Sequence, residues 1–182
     1  MFETEKFVEN CRSEMRGTSS MRAVRELVEE AVADPAALHK VLGEPARGLV
    51  NTLHRSDDLT VLHLVWAPRM TVMPHNHNMA AVIGVYSGRE DNIFWRRIKD
   101  DPTGQIEAAG ADSLGPGKAV QLGSEIIHSV TNPTGQFTSA IHVYAGNFFE
   151  EHRSEWDPEQ LTEQDYEVEK TLRLFEEANA RL

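Results

Sequence analysis

The sequence predicts a mainly β protein, built as a sandwich or barrel, with helices at both ends of the chain. From Asn51 onward, short apolar segments show the two-residue alternation of strands, and Gly and Pro residues separate them. Segments with a helical spacing of apolar residues stand before and after this region. Many short strands at regular intervals are typical of sandwiches and barrels.

The helices are predicted from apolar spacing and from capping residues. Residues 19–34 carry apolar side chains three and four positions apart, after a serine that can cap a helix. Asp34 and Pro35 suit the cap and first position of a second, shorter helix that runs to Leu42. Residues 157–182 return to a helical period, and we expect their acidic face to be solvated.

The strand predictions fall in the middle of the chain, and they define its organisation. We expect a single structural domain, with an N-terminal helical region (1–50), a β-barrel (51–150) and a C-terminal helical extension (151–182). The predicted strands lie within residues 59–67, 70–78, 80–88, 92–98, 119–123, 126–132 and 138–146.

Composition excludes several classes of function. The formal net charge of −11 disfavours binding to nucleic acid or to an anionic membrane, because the field of the protein repels phosphates. No apolar run approaches the roughly 18 residues that span a membrane, and the N-terminus lacks the apolar core of a signal peptide. The single cysteine, Cys11, excludes an intrachain disulfide. We expect a cytoplasmic protein, either a monomer or a homodimer.

Two histidines at the edge of an apolar run indicate metal binding. His75 and His77 are spaced by two, so in a strand both imidazoles project from the same face. Two neutral imidazoles on one face form half of a metal site, although such a pair also occurs in surface turns. A further candidate ligand, His128, follows an apolar pair about fifty residues downstream.

The segment around His128 resembles the second motif of the cupin family, G-x5-P-x-G-x2-H-x3-N. Gly117, His128 and Asn132 match the motif at its spacing. Gly123 stands where the family has proline.

The segment around His75 resembles the first cupin motif, G-x5-H-x-H-x3,4-E-x6-G. His75, His77 and Gly88 match it, whereas Arg69 replaces the initial glycine and Ala81 replaces the glutamate ligand. The resemblance implies a cupin double-stranded β-helix, a jelly-roll-like barrel, with N-terminal helices and a C-terminal helix.

The same resemblance implies a metal site formed by His75, His77 and His128. Without the glutamate, three neutral imidazoles leave the full charge of a divalent ion in place and one face open. Such a site suits an anionic substrate, for example a thiolate or an enolate. Imidazole ligands fit iron, nickel, copper or zinc.

Within the cupins, the sequence is most similar to the thiol dioxygenases, the cysteine dioxygenase-like group. The family pattern S-x-H-x-Y is matched by His142 and Tyr144, with Ala140 in place of the serine. The neighbouring Ser139 should face the other way, because strand side chains alternate. Trp66, nine residues before the first metal histidine, is another family feature.

The resemblance implies an iron(II) dioxygenase that oxidises a small thiol acid, of the cysteine or 3-mercaptopropionate type, to a sulfinate with O2. Arg55 would orient the substrate carboxylate, because its fork pairs with a carboxylate bidentately. Tyr144, oriented by His142, would hydrogen-bond the oxygen or the substrate. Two alternative functions stay open: cleavage of a diketone or another enolisable compound, and a non-catalytic metal- or small-molecule-binding cupin. For His142 and Tyr144, the alternative is an ordinary hydrogen-bonded pair in the core.

Overall fold

The computed structural model describes residues 1–16 and 21–182 of the chain. Three helices come first: α1 (Thr4–Arg16), α2 (Met21–Val32) and α3 (Pro35–Leu42). The serine predicted to cap the helix over residues 19–34, which is α2, lies outside the described residues.

The start of α3 has the predicted cap. The side chain of Asp34 accepts a hydrogen bond from the backbone N–H of Ala37 at 3.1 Å, and Pro35 occupies the first turn. The prolyl φ angle is already helical, and its missing N–H would have had no partner there.

Eleven strands and one further helix follow among the described residues. The helix, α4, spans Val168–Asn179. The strands are β1 (Leu49–Arg55), β2 (Thr60–Trp66), β3 (Thr71–Asn76), β4 (Ala81–Ser87), β5 (Glu90–Arg97), β6 (Ile106–Leu114), β7 (Lys118–Leu122), β8 (Ile127–Thr131), β9 (Thr138–Tyr144), β10 (Ser154–Trp156) and β11 (Glu163–Asp165).

The strands form two antiparallel sheets. One has the order β1-β2-β9-β4-β7, and the other has the order β11-β10-β3-β8-β5-β6. Strands β2, β4, β7 and β9 therefore lie in one sheet and β3, β5, β6 and β8 in the other, which is the strand order of a jelly roll. The predicted fold class, a mainly β double-stranded β-helix with helices at both ends, is confirmed.

The strand predictions omitted β6. Its sequence, IEAAGADSL, has no apolar alternation, because the strand is exposed over seven successive residues between its buried ends. It pairs with β5 at the edge of its sheet, so neither face needs apolar side chains.

The helix predicted over 157–182 is wrong in its first part. Residues 154–165 form the β10–β11 hairpin instead, and α4 begins at Val168. Trp156 anchors this hairpin, because it is fully buried and its indole N–H donates to the carbonyl of Gly104 at 2.9 Å. In the first part of residues 157–182, burial of the neighbouring Trp156 and sheet pairing therefore outweigh the helical spacing of the apolar residues.

The first sheet is covered by different elements on its two faces. Its inner face joins the barrel core, while its outer face packs against α1 and α2. Gly84 allows α2 to approach β4 closely, because a Cβ at that position would overlap with Cγ1 of Val28.

Helix α4 lies across one end of the barrel. Its Phe175 stacks on Trp66 with the ring centroids 5.3 Å apart. Its C-terminal residue, Asn179, hydrogen-bonds both backbone groups of Gly48, at 2.6 and 2.9 Å. No helix within the described part of the chain has the length and apolar character needed to cross a membrane.

Candidate metal centre

The three predicted metal ligands meet inside the barrel. His75 on β3 is the cross-strand partner of His128 on β8, and His77 follows the last residue of β3. The Nε2 atom of His77 lies 3.3 Å from the Nε2 of His75 and 3.3 Å from the Nε2 of His128. All three rings are buried, and their ligand atoms lie within 4.8 Å of one another.

The surroundings of these histidines keep them neutral. Burial lowers the pKa of His75 to about 4, although a hydrogen bond to the carbonyl of Met73 opposes the shift. Burial, together with the neighbouring imidazoles, also holds the pKa values of His77 and His128 well below their usual range. Neutral imidazoles are the form that binds a metal ion.

In two of the rings, a hydrogen bond at Nδ1 leaves the Nε2 atom without a hydrogen and therefore able to bind a metal ion. The Nδ1 of His75 lies 2.9 Å from the carbonyl oxygen of Met73, which can only accept, so this nitrogen carries the hydrogen. The Nδ1 of His128 lies 2.7 Å from Oδ1 of Asn92. Both rings can therefore direct an Nε2 lone pair at a common point.

The cluster has the dimensions of a metal site. Two nitrogen ligands at about 2.1 Å from one ion lie roughly 3.0–3.4 Å apart in octahedral or tetrahedral geometry. The 3.3 Å separations on either side of His77 fit this range. Three imidazoles on one side of an ion suit iron, copper, nickel or zinc. The structure therefore contains a three-histidine metal-binding site.

A small cavity of about 50 Å³ opens beside the cluster. The side chains that line it are mostly apolar and come from both sheets, from the segment after β9 and from α4. Its polar lining residues include the three histidines and the predicted pair His142 and Tyr144. A cavity of this size and lining has room for only a few water molecules.

The predicted pair on β9 faces this cavity. The Nδ1 of His142 and the hydroxyl of Tyr144 are 3.0 Å apart, and the ring of Tyr144 lies edge-on to His77 with centroids 5.0 Å apart. Burial raises the pKa of Tyr144, so its hydroxyl keeps its proton. Ser139 is buried on the opposite, helix-covered face, as the alternation predicts.

Two other residues of the family motifs serve turns rather than the cluster. Gly88 has φ +77°, and a Cβ there would lie 2.6 Å from the carbonyl oxygen of Phe137. The amide of Asn132 donates to the backbone carbonyls of Ala67 and Gln136 and stabilises the loop before β9.

The structure does not bring Arg55 into the cavity. Its side chain is exposed, and it donates to Asn147 Oδ1 at 2.9 Å and to Glu150 Oε1 at 2.7 Å. Both partners lie on the loop after β9. The role of Arg55 as a carboxylate anchor stays a prediction, and this placement offers it no support.

A second arginine lies much closer to the cluster. Arg153 is 2% exposed, and no nitrogen of its guanidinium has a hydrogen-bond partner among the described residues. The guanidinium carbon lies 3.9 Å from the ring centroid of Phe148 and 4.1 Å from that of Tyr166, and both rings line the cavity. Its charge helps to lower the pKa of His75. Arg153 is therefore a buried cation that lies against two aromatic residues of the cavity lining.

A buried carboxylate, Glu90, is connected to His128 through Asn92. It is 0% exposed, and its two oxygens accept from Trp66 Nε1 at 2.9 Å and from Asn92 Nδ2 at 3.0 Å. The Nε2 of His142 lies 3.7 Å from the same carboxylate. Burial would raise the pKa of Glu90, but His142 and these hydrogen bonds hold it below its usual range. The donors around both of its oxygens therefore favour the ionised form of Glu90.

Sequence reasoning missed Glu90, Asn92 and Arg153. Glu90 and Asn92 belong to the charged stretch GREDN, and Arg153 belongs to EEHRSEW, so both segments look solvated. The one available signal was alternation on β5, because Glu90 and Asn92 point to the same face as Phe94.

No family model matches the sequence, and no curated protein matches it. Among solved structures, oxalate decarboxylase from Bacillus subtilis shares 19% identity at a TM-score of 0.41, over 53% of this chain and 23% of that chain. This chain thus spans about a quarter of the oxalate decarboxylase chain.

Two similar structures are nearer in length. An RmlC-like cupin from Methanocaldococcus jannaschii shares 12% identity at a TM-score of 0.47, over 59% of this chain and 87% of that chain. A protein with a double-stranded β-helix domain from Klebsiella pneumoniae shares 13% identity at a TM-score of 0.43, over 57% of this chain and 76% of that chain. On its own strand order and side chains, the protein is a double-stranded β-helix with a three-histidine metal-binding site.

Proposed function

We propose that the protein is a non-haem iron(II) dioxygenase that oxidises the thiol of a small thiol acid to a sulfinate. The observation that carries this proposal is one cavity with three neutral imidazoles on one wall and, against two of its aromatic lining residues, a buried guanidinium without a hydrogen-bond partner among the described residues. A ligand that offers a thiolate to the metal and a carboxylate to the arginine matches both groups.

The overall reaction is RSH + O2 → RSO2H. Both oxygen atoms of O2 enter the sulfinate, so the sulfur is oxidised, O2 is reduced, and no further reductant is needed. An iron ion held by His75, His77 and His128 would supply a lowered thiol pKa and the electron transfer to O2. The side chains of the protein must then bind, orient and shield the substrate.

Arg153 is suited to bind the substrate carboxylate. A buried guanidinium without hydrogen bonds is costly, and a carboxylate would satisfy two of its N–H groups at once. Phe148 and Tyr166 lie against the guanidinium, 3.9 and 4.1 Å from its carbon, and would hold it in place while it binds a carboxylate. This arrangement selects an anion of small size.

Tyr144 is suited to hydrogen-bond the bound substrate or oxygen. Its hydroxyl keeps its proton and lies beside the ring of His77, so it can act at the metal-facing side of the cavity. His142 holds this hydroxyl from behind at 3.0 Å. The apolar walls exclude water, which strengthens each of these interactions.

The first experiment joins metal content with substrate oxidation. The purified protein, loaded anaerobically with Fe(II), should consume O2 with cysteine, 3-mercaptopropionate or mercaptosuccinate, and mass spectrometry should detect the sulfinate. His128→Ala should lose both the metal and the activity, whereas exchange of the exposed His152 for alanine should retain both.

Other outcomes of the experiment decide among the alternatives. Oxidation of a diketone such as acetylacetone, with no reaction of the thiols, would assign the site to enolisable substrates instead. A folded protein that binds no transition metal would be a small-molecule-binding module. Loading with nickel, copper or zinc in parallel identifies the metal that supports activity. The cytoplasmic location and the monomeric or homodimeric state stay predictions.

A further inference from the structure

The hydrogen bonds behind His128 form a chain that ends at a buried carboxylate. The ring Nδ1 faces Oδ1 of Asn92 at 2.7 Å, and Nδ2 of Asn92 donates to Oε1 of Glu90 at 3.0 Å. The other oxygen of Glu90 accepts from the indole of Trp66. Glu90, Asn92 and His128 are each about 1% exposed or less, so water does not compete for these bonds.

The direction of this chain is set at its carboxylate end. An ionised carboxylate accepts only, so Asn92 must turn its amide N–H2 towards Glu90 and its oxygen towards His128. The oxygen in turn accepts only, so the ring hydrogen of His128 must sit on Nδ1. The lone pair is then left on Nε2, which faces the other two histidines.

We propose that Glu90 is a positioning residue that sets the tautomer of His128 and thereby keeps this ring competent to bind a metal ion. The inference rests on the proposed metal site. It also accounts for a missing ligand: Ala81 occupies the place of the cupin glutamate, and Glu90 supplies a negative charge one layer behind the imidazoles.

The variant Glu90→Gln should reverse the direction of the hydrogen bonds from residue 90 through Asn92 to His128. A glutamine has only one acceptor oxygen, and the indole N–H of Trp66 can only donate, so that oxygen should face Trp66. The new amide N–H2 would then face Asn92, which must rotate and offer N–H2 to His128. The ring hydrogen would move to Nε2, where it blocks the metal.

The double variant Glu90→Gln, Asn92→Asp should restore the original direction. The glutamine amide can donate to the new aspartate, whose second oxygen accepts from Nδ1 of His128. The two substitutions keep the total charge of the protein and exchange only the positions of amide and carboxylate. The double variant is therefore a matched control for the packing and the charge changed in the single variant.

Two measurements test the proposal. Two-bond 15N–1H correlation spectra of the metal-free proteins, at neutral pH, report the tautomer of His128. We expect the hydrogen on Nδ1 in the wild type, on Nε2 in Glu90→Gln and on Nδ1 again in the double variant. Titration with Zn(II) alone should show a roughly 10- to 100-fold weaker affinity in the single variant and recovery in the double variant.

Each remaining result overturns the proposal. A wild-type hydrogen on Nε2, an unchanged tautomer in Glu90→Gln, or an affinity that the double variant does not recover would each assign Glu90 a structural role only. If the single variant does not fold, a wild-type hydrogen on Nε2 would still overturn the proposal. If the wild type binds no metal, the proposed function fails, while the tautomers still test the chain from Glu90.

Discussion

Around the cavity, residues differ in whether their hydrogen-bonding groups have partners. His75 and His128 are held on their Nδ1 sides by Met73 and Asn92, while Arg153 lies against two aromatic rings and has no hydrogen-bond acceptor among the described residues. Buried polar groups are normally satisfied, so an unpaired guanidinium calls for a ligand. Under the proposed function, the unused hydrogen-bond donors of Arg153 would give the site a preference for an anion.

Substitution of the two arginines separates their roles. Arg153→Gln should lower kcat/KM for a thiol acid roughly 10- to 100-fold through loss of a charge-assisted bidentate contact, with little effect on a neutral thiol such as propanethiol. Arg55→Gln should change neither value, because its partners lie on an exposed loop. Steady-state O2 uptake measures both. A selective loss in Arg55→Gln alone would restore that residue as the carboxylate anchor.

At the scale of secondary-structure elements, close packing joins α2 to β4. Val28 reaches the strand at Gly84, where the absence of a side chain leaves the necessary space. Val24, Val28 and Val32 form one fully buried stripe of α2 against this sheet. Helix and strand therefore depend on each other for their position.

An added methyl group at this contact should destabilise the protein. We expect Gly84→Ala to lower the free energy of unfolding by about 1–3 kcal/mol, because α2 must shift to relieve the overlap. Gly110→Ala on β6 is the matched control, since no atom lies within 4 Å of a Cβ there. Urea denaturation measures both variants. Equal stabilities would show that α2 moves freely over the sheet.

Helix α4 depends on contacts at both of its ends. Lys170 pairs with the buried Glu155 near the start, and Asn179 binds the backbone of Gly48 at the end. Phe175 lies between them against Trp66 and closes the cavity. Loss of one end should therefore loosen the cover of the site without unfolding the barrel.

Removal of the amide at the helix end tests this dependence. We expect Asn179→Ala to cost about 1–2 kcal/mol of local stability, because two hydrogen bonds to Gly48 are lost. Amide hydrogen exchange should become faster in α4 and stay unchanged in β4 and β9. The exposed Glu176→Ala is the control within the same helix. Equal exchange rates of the α4 amides in the wild type, Asn179→Ala and Glu176→Ala would contradict the prediction.

At the scale of the whole molecule, buried neutral histidines make stability depend on pH. His63 lies on the helix-covered face of β2, 2.8 Å from the hydroxyl of Tyr86, and burial lowers its pKa to about 4. Between this value and the unfolded pKa of about 6.5, the unfolded chain binds a proton that the folded protein does not. Stability should therefore fall as the pH decreases from 6.5 to 4.

Denaturation of the metal-free protein at several pH values tests this linkage. The stability of the wild type should fall more steeply than that of His63→Gln, by about 1.4 kcal/mol per pH unit in the middle of this range. His152→Gln is the control, because the side chain of that residue is exposed. Parallel curves for the wild type and His63→Gln would show that His63 does not contribute.

The barrel and the three histidines could be predicted from the sequence because both show patterns among residues that are close in sequence. Alternation marks the strands that carry His75 and His128, and motif spacing joins them. β6 was missed because its exposed residues show no alternation, and Arg153 was missed because burial of a charge depends on tertiary contacts. The pairing of β6 and the burial of Arg153 depend on contacts between residues far apart in sequence, and such contacts leave no local pattern.

The division of the site between two parts of the chain has an evolutionary consequence. All three imidazoles and the residues that hold them belong to the barrel, whereas Arg153, Tyr166 and α4 follow β9 in one continuous segment. Changes confined to this last segment could alter which small molecule enters, with the metal-binding half intact. Descendants of such a gene could diverge in specificity by exchange of the segment after β9 while they inherit the same three histidines.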